Sequence, residues 1–382
     1  MNKRFLCELC TLIMGQSPDS KSYNKENDGI PFYQGNADFG ADYPTPSVWC
    51  SDPKKIAIKD DILISVRAPI GDINIATEDC CIGRGLAAIR LKDNNLIEMK
   101  YLYNFLGSIV PKLQDQGTGS TFKAINKGSL EKICIPCPSL EEQKRISSTI
   151  TKIRTAIIRK KDQLIALDNL VKSRFIEMFG NPDANEKGWE KSKLENYINV
   201  VGGYAFKSQK YLSEGIPVLR IGNINAGYFK DTNLVFYQED DALEKYKIYP
   251  NDLVLSLTGT AGKDDYGNIC LMDSTYNVYY LNQRNAKIEI KHSFDRFFLM
   301  HLFSHPEIKQ RLTGKNHGIR QGNILNKDIL ELNVYVPPIE LQNEFAEFVK
   351  QTDKSKFVCL FIPSIFYEIF LRFRHPPLHI RG

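Results

Sequence analysis

The longest periodic pattern of apolar residues lies in the middle of the chain. The segment Leu140–Phe179 contains neither proline nor glycine, and Gly180 and Pro182 follow it. Ser139 and Glu142 form a capping-box pattern at its start, in which each side chain would satisfy a free backbone N–H. The pattern predicts one helix of about 40 residues, which at about 1.5 Å per residue makes a rod of roughly 60 Å.

Within this helix the less polar positions alternate at spacings of four and three residues. A spacing that averages 3.5 residues is typical of a coiled coil. The alternative is a helix on a globular core, but such a helix shows a wider apolar stripe, and the other faces here are densely charged. We therefore predict a seam that includes Lys160 and Arg174 and the apolar residues Ile146, Ile150, Ile153, Ile157, Leu164, Leu167, Val171 and Met178.

A second helix is predicted after Pro338, where Ile339, Leu341, Phe345 and Phe348 form a helical stripe. We expect it to pack antiparallel to the first. The composition changes after residue 357: the segment 358–382 is rich in Phe, Ile and Leu, nearly free of acids and interrupted by prolines. Our hypothesis is that a frameshift or recombination produced this atypical tail. Its apolar run is also too short to span a bilayer, which takes roughly 20 residues.

The rest of the chain contains two copies of one pattern. Strand-like runs at 56–66 and 249–257 are followed by helical patterns at 101–113 and 296–312, and turn residues separate them. The offset between the copies rises from 186 to 200, as loop insertions between duplicated domains would produce. The corresponding segments are Gly29–Asn36 with Gly215–Asn223, Asp60–Ser65 with Asn251–Ser256, Gly83–Ile89 with Gln283–Glu289, Ile133–Pro138 with Leu332–Pro337, and Glu142–Gln143 with Leu341–Gln342.

The predicted fold class is α+β, with two homologous mixed α/β domains separated by long helices that pair as an antiparallel coiled coil. The predicted boundaries are 1–138 for the first domain, 139–182 for the central helix, 183–337 for the second domain, 338–357 for the start of the distal helix and 358–382 for the tail.

Composition narrows the class of protein. Hydrophobic residues make up 42% and charged residues 25%, which is ordinary for a soluble globular protein, so we expect a cytoplasmic location and no membrane association. The net charge of +5 is compatible with nucleic-acid binding. The nine cysteines include two Cys-x-x-Cys pairs, Cys7–Cys10 and Cys134–Cys137. They lie too far apart in sequence to make a zinc site, and no metal is expected.

Sequence patterns that would indicate catalysis are missing. There is no phosphate-binding Gly-rich loop: in Gly259–Asp264 the glycines are too close together. There is no His-Glu-x-x-His, no Gly-x-Ser-x-Gly, and no Asn/Asp-Pro-Pro-aromatic tetrapeptide of the kind that adenine methyltransferases use. Together these absences favour a binding protein.

The order and duplication of several short motifs resemble the DNA-specificity (S) subunits of type I restriction–modification systems. No single motif is specific, but the set runs through most of the chain. The matching pieces are Gly188–Glu190 with Leu194, Gly203–Ser208 with Tyr211, Gly15–Pro18, and Ile135–Gln143 with Ile146.

The resemblance implies that each copy is a target-recognition domain reading one half of a split double-stranded DNA site, with the helices as a spacer. It also implies two methyltransferase (modification) subunits docked on the helices, and restriction subunits with translocase activity. S-adenosylmethionine, ATP and Mg²⁺ would belong to those partners, so no cofactor is expected in this non-catalytic chain. The alternatives are a structural scaffold, a fused enzyme whose catalytic half is missing, and an inactive or phase-variable specificity subunit.

Base reading needs Arg, Lys, Asn or Gln on loops, and phosphate contacts need Lys or Arg. Basic residues beside turn signals are therefore the candidates. For each one the alternative is a solvated Arg or Lys side chain on the surface that contacts no DNA. The candidate DNA-binding residues are Arg67, Arg84 and Lys123 in the first copy and Lys207, Arg220, Lys263, Arg284 and Arg320 in the second.

Overall fold

The architecture is known from a computed structural model. It describes residues 2–116, 124–260, 262–314 and 321–374, with 112, 115, 116, 321 and 357–374 described by backbone alone. The chain divides into two compact units, 1–158 and 159–382. The division falls inside the long central helix, and each unit is described by itself.

The first unit is a mixed α/β domain that leads into the long helix α4. Its elements in chain order are β1 (Lys3–Phe5), α1 (Leu6–Leu9), β2 (Cys10–Met14), β3 (Tyr23–Asn24), β4 (Ile30–Tyr33), β5 (Trp49–Cys50), β6 (Ile56–Ala57), β7 (Ile62–Ser65), β8 (Ile73–Ile75), β9 (Cys80–Ile82), β10 (Leu86–Leu91), α2 (Met99–Gln116), α3 (Lys127–Glu131), β11 (Cys134–Pro136) and α4 (Leu140–Phe179).

The second unit contains the end of α4 and a second mixed domain. Its elements are β12 (Lys191–Lys193), β13 (Ile198–Gly202), β14 (Ile216–Leu219), β15 (Phe236–Tyr237), β16 (Lys247–Ile248), β17 (Leu253–Ser256), β18 (Thr258–Thr260), β19 (Ile269–Leu271), β20 (Tyr279–Leu281), β21 (Asn285–Ile290), α5 (Arg296–Ser304), α6 (Pro306–Thr313), β22 (Gln321–Asn323), α7 (Asn326–Leu330), β23 (Asn333–Tyr335) and α8 (Ile339–Arg374).

The two domains have the same central sheet. Its strand order is β2-β10-β7-β8 in the first unit and β13-β21-β17-β19 in the second, and all neighbours are antiparallel. A second sheet follows the same plan, with β4 parallel to β9 in one unit and β14 parallel to β20 in the other. The predicted duplication and α+β fold class are confirmed.

The central strands are buried on both faces, which explains their uninterrupted apolar sequences. In β7, Ile62 and Ile64 pack into the core beneath the helices, whereas Leu63 between them packs toward the second sheet. In β17, Leu253 and Leu255 likewise face the helices and Val254 faces the other side. Each unit therefore has a layer of helices, a central sheet and a second sheet.

A buried glutamine joins each domain to the long helix that follows it. Gln143 is 0% exposed; its Oε1 accepts from the amide of Glu98 at 2.8 Å, and its Nε2 donates to the carbonyls of Leu96 and Pro138 at 3.2 and 3.0 Å. These bonds tie the start of α4 to the segment that begins α2.

Gln342 repeats this arrangement in the second unit. It is also 0% exposed; its Oε1 accepts from the amide of Asp295 at 2.9 Å, and its Nε2 donates to the carbonyls of Ser293 and Pro337 at 3.0 and 2.8 Å. The start of α8 is therefore tied to the segment that begins α5. We call these two residues the junction glutamines.

The long helix α4 has the predicted length and is buried mainly toward its ends. The predicted seam positions are less exposed than their neighbours between 148 and 170; most are half-buried, and Val171 and Met178 are 1% and 8% exposed. A coiled-coil seam along the whole of α4 stays a prediction.

Within the second unit, α8 runs antiparallel to the end of α4. Phe345 packs edge-on against Phe175 and Phe179, with ring centroids 5.5 Å from each. Arg174 pairs with Glu344 at 3.1 Å. Lys356 pairs with Asp168 at 2.9 Å, so residues later in α8 lie beside residues earlier in α4.

Three local expectations differ from the structure. The helix predicted over 296–312 is two helices, α5 and α6, because Pro306 cannot continue the first and instead begins the second. At the start of α4 the Ser139 Oγ accepts from the Glu142 amide at 3.3 Å, but the Glu142 carboxylate pairs with Arg145 and does not reach back. The backbone helix α8 continues past the predicted boundary at 357 to Arg374, across Pro363.

No helix of the described chain is long and apolar enough to cross a membrane. The same described residues contain no group of three or more His, Cys, Asp and Glu that could hold a metal ion.

A buried histidine makes the second unit sensitive to acid. His301 lies against Phe175 and Phe345, and its Nε2 is shielded from solvent without a partner among the described residues. Burial, reinforced by Lys356, lowers the pKa of His301 from 6.5 to about 4, although Asp168 opposes the shift. The unfolded chain therefore takes up a proton as the pH falls from 6.5 toward 4, and the folded chain does not.

We expect His301→Phe to remove part of this sensitivity. Well above pH 6.5 both states are neutral and the histidine adds no pH dependence; below it, the wild type loses up to about 1.4 kcal/mol per pH unit, down to about pH 4. Urea denaturation at pH 7 and pH 5 measures the difference. The explanation is wrong if the variant and the wild type lose the same free energy of unfolding between these two pH values.

Candidate nucleic-acid interface

One end of the central sheet has the same loop structure in both units. In the first unit the Ser65 Oγ accepts from the amide of Asp72 at 3.0 Å; in the second, the Ser256 Oγ accepts from the amide of Asn268 at 3.0 Å. The residues before those amides are glycines with positive φ, as tight turns require. We call this the serine end of each sheet.

Two predicted arginines of the first unit lie at its serine end. The backbone bond from Val66 N to Gly85 O, 2.8 Å long, brings their two segments together. Arg84 is held in place, because its amide and Nε approach the Ser17 Oγ at 3.3 and 3.4 Å. Arg67 is exposed and makes no side-chain hydrogen bond or ion pair within the described part of the chain. Its guanidinium is therefore available to a ligand.

The serine end of the second unit carries a shallow cavity. The corresponding backbone bond runs from Leu257 N to Arg284 O at 2.9 Å. The cavity has a volume of about 370 Å³, and its lining residues are Ile221, Asn225, Thr258, Gly259, Thr260, Asp265 and Arg284. Arg284 is exposed, and its side chain has no partner among the residues that the structure describes.

One wall of this cavity is the strand β18, which pairs with β22 in a two-stranded ribbon. Gly259 faces Gly322 across it, and both lie against Tyr266: a Cβ on Gly259 would approach the Tyr266 Cβ to 2.8 Å, and one on Gly322 would approach its ring to 2.4 Å. The ribbon needs glycine at both positions. The Thr258 Oγ1 beside them is buried without a partner among the described residues.

The cavity also contains a fixed negative charge. Asp265 accepts from the amide and the Oγ1 of Thr260, each at 2.8 Å. Partial burial works against ionisation, but these two bonds hold the pKa of Asp265 below its usual range. The wall therefore carries a carboxylate at neutral pH.

The other predicted DNA-binding residues are placed differently. The Arg220 guanidinium donates to the carbonyl of Asn233, so this side chain braces its own loop. Lys207 is exposed before a short 3₁₀ turn. Lys263 is exposed, and its amide donates to the carbonyl of Thr260 beside the cavity. Lys123 and Arg320 lie outside the described residues. DNA contact stays a prediction for all of them.

Sequence reasoning missed Asn225, Thr258, Thr260 and Asp265 as cavity residues. The Thr-Gly-Thr run followed by two aspartates is a local signal, but by its spacing it shows only that a phosphate-binding loop is absent. The lining residues run from Ile221 to Arg284, and the strand that pairs with β18 lies more than sixty residues after it, so the cavity could be found only from the tertiary structure.

Two copies of one domain, each with an arginine at the serine end of its sheet and a long helix after it, define a class of duplicated binding proteins. The sequence model of the family described as the type I restriction modification DNA specificity domain matches twice, over residues 1–167 and 186–357. The chain belongs to this family.

Individual relatives agree with this result. A putative type I restriction enzyme MjaX specificity subunit of Methanocaldococcus jannaschii is 48% identical over 153 residues, which cover 40% of this chain and 36% of that protein. The MjaIX specificity subunit of the same organism is 28% identical over 317 residues, covering 78% of this chain and 71% of its own. The matched part is thus about a third of the first relative and more than two thirds of the second.

The solved S subunit of a type I restriction–modification system from M. genitalium shares the fold. The two structures align with a TM-score of 0.57 over 96% of this chain and 93% of the other, at 17% identity.

Proposed function

We propose that this chain is the DNA-specificity subunit of a type I restriction–modification complex, in which each unit reads one half of a bipartite site in double-stranded DNA. The observation that carries the proposal is the repeated serine end, where each unit has an exposed arginine whose side chain has no partner among the described residues: Arg67 in one and Arg284 in the other. Exposed guanidinium groups on loops suit base edges and phosphates. Family membership and the duplicated fold support the same role.

In this proposal the chain selects the sequence and its partners do the chemistry. Two modification subunits would supply S-adenosylmethionine-dependent methylation, and restriction subunits would supply ATP- and Mg²⁺-dependent translocation and cleavage. The complex would act in the cytoplasm, where its DNA substrate is.

The outer face of α4 is the proposed docking surface for a modification subunit. Ile165 and Ile176 are 59% and 38% exposed, and their spacing of eleven residues, about three helical turns, puts them on the same face. That face is opposite the predicted seam. Large exposed apolar side chains on one face of a helix are typical of a protein-binding surface.

The function is tested by co-expressing the chain with a modification subunit from the same system in cells that lack adenine methylation. We expect the two proteins to co-purify, and methylome sequencing to show adenine methylation in both halves of one split motif. A complex that neither methylates nor binds duplex DNA with steep salt dependence would contradict the proposal, because phosphate contacts release counterions.

We expect the double variant Ile165→Glu, Ile176→Glu to lose co-purification by about tenfold or more, because a carboxylate would be buried against apolar partner residues. Ala166→Glu is the matched control: it adds a charge at an exposed neighbouring position and removes no isoleucine. The docking surface is misplaced if the double variant co-purifies as well as the control. Direct DNA binding by the chain should be unchanged in both.

A further inference from the structure

Strand register gives the residue-by-residue correspondence of the two serine ends. Ser65 pairs with Leu86 in the first unit, and Ser256 pairs with Asn285 in the second. The residue after each serine therefore corresponds, Val66 to Leu257, and so does the residue before each partner, Gly85 to Arg284. The backbone bonds agree, because Val66 N donates to Gly85 O and Leu257 N donates to Arg284 O.

One residue further along the first strand, Arg67 corresponds to Thr258. Arg67 makes a bridge with Ala124, and Thr258 pairs with Asn323 in the same way. Arg84 also lies before the neighbouring strand of the first unit, but its Nε is bound to Ser17. The arginines whose side chains are not bound therefore lie on opposite segments of the same loop pair: Arg67 after the central strand in the first unit, and Arg284 before the neighbouring strand in the second.

The different placement of the arginine in the two units has a steric reason. A Cβ added at Gly85 would lie 2.4 Å from the carbonyl oxygen of Gln34, so the first unit has no room for a side chain at this position. The second unit accepts Arg284 there and has the shorter Thr258 on the other segment. Among the described residues, each unit thus presents one guanidinium without a partner at its serine end, on the segment that has space for it.

The lining of the second unit's cavity indicates what this guanidinium binds. Arg284 lines it together with Asn225 and the ionised Asp265. A phosphate in this cavity would be repelled by the carboxylate. A neutral base edge is not repelled, and guanine presents two acceptors, O6 and N7, in the spacing that one arginine fork matches.

We propose that Arg284 reads a guanine in the half-site of the second unit, and that Arg67 has the equivalent base-reading position in the first unit. The inference rests on the proposed function, and it names the residues that set the sequence preference. The phosphates would then be bound by other basic residues outside the cavity, such as Lys263.

The experiment is selection from a pool of random duplexes by the purified full-length chain, followed by sequencing of the bound DNA. We expect the wild type to enrich a split motif that has a guanine in each half. Arg284→Gln should lower the preference for that guanine by roughly tenfold in one half and leave the other half unchanged. Arg67→Gln should change only the other half.

Arg284→Lys separates base reading from phosphate binding. It keeps the charge but loses the two-pronged donor, so the guanine preference should fall while affinity for non-specific DNA stays. Arg159→Gln, which removes an exposed arginine of α4, is the matched control and should change neither the motif nor the affinity.

The outcomes separate the two levels of the argument. If the wild type enriches a split motif and Arg284→Gln keeps it with uniformly weaker binding, Arg284 is a phosphate contact and the inference is wrong. If both arginine variants alter the same half, the assignment of one arginine to each unit is wrong. If the wild type enriches no motif, the proposed function itself fails.

Discussion

Phe345→Ala is expected to lower the free energy of unfolding of the second unit by about 3–5 kcal/mol. The side chain is 0% exposed and lies where α4, α5 and α8 meet. It contacts the rings of Phe175 and Phe179 at 5.5 Å and that of His301 at 5.2 Å. Truncation leaves a cavity that three helices cannot fill without shifting, and the contact between α8 and the end of α4 weakens.

Chemical denaturation gives the size of this effect, and hydrogen exchange in α8 and the last turns of α4 shows where it acts. Tyr228→Ala is the control, because this large ring is 59% exposed and its loss should change stability by less than about 0.5 kcal/mol. Equal stability in both variants would mean that α8 does not hold the end of α4 in solution.

Gln143→Leu is expected to destabilise the first unit by about 2–4 kcal/mol. Leucine has a similar size, so the loss comes from hydrogen bonding. The amide of Glu98 and the carbonyls of Leu96 and Pro138 lose their partner at a position where the side chain is 0% exposed. The connection between the domain and the start of α4 should loosen.

Gln342→Leu should do the same in the second unit, which makes the pair an internal comparison. Protection of backbone amides from hydrogen exchange should fall at the start of α2 in the Gln143 variant. In the Gln342 variant it should fall at the start of α5. Gln351→Leu, at an exposed position of α8, is the control and should leave both unchanged. A global loss that is the same for both junction variants would contradict the local role assigned to these glutamines.

The parts of the fold that repeat or run for many turns could be predicted from the sequence. The helix α4 follows from the apolar spacing between Ser139 and Gly180, and the duplication follows from paired segments such as Asp60–Ser65 and Asn251–Ser256. Features that depend on one residue were harder. Pro306 divides a predicted helix in two, and Arg145 draws the Glu142 carboxylate away from the expected cap.

The candidate site could be predicted only as a set of residue types. The rule of choosing Arg and Lys residues beside turn signals found Arg67, Arg84 and Arg284. The fold brings these three residues to equivalent ends of two sheets. The same rule selected Arg220, whose guanidinium is bound to a carbonyl thirteen residues along the chain. Sequence spacing does not show that bond, nor the pairing of β18, which lines the cavity, with β22.

The two junction glutamines also bear on how such a protein diversifies. Each domain meets its helix through the same three hydrogen bonds, all to backbone groups, and these bonds do not depend on which side chains surround them. A genetic exchange that replaces one domain together with its glutamine therefore keeps all three hydrogen bonds between that domain and the start of its helix. Under the proposed function, such an exchange would replace one half-site preference and leave the attachment to the helix intact.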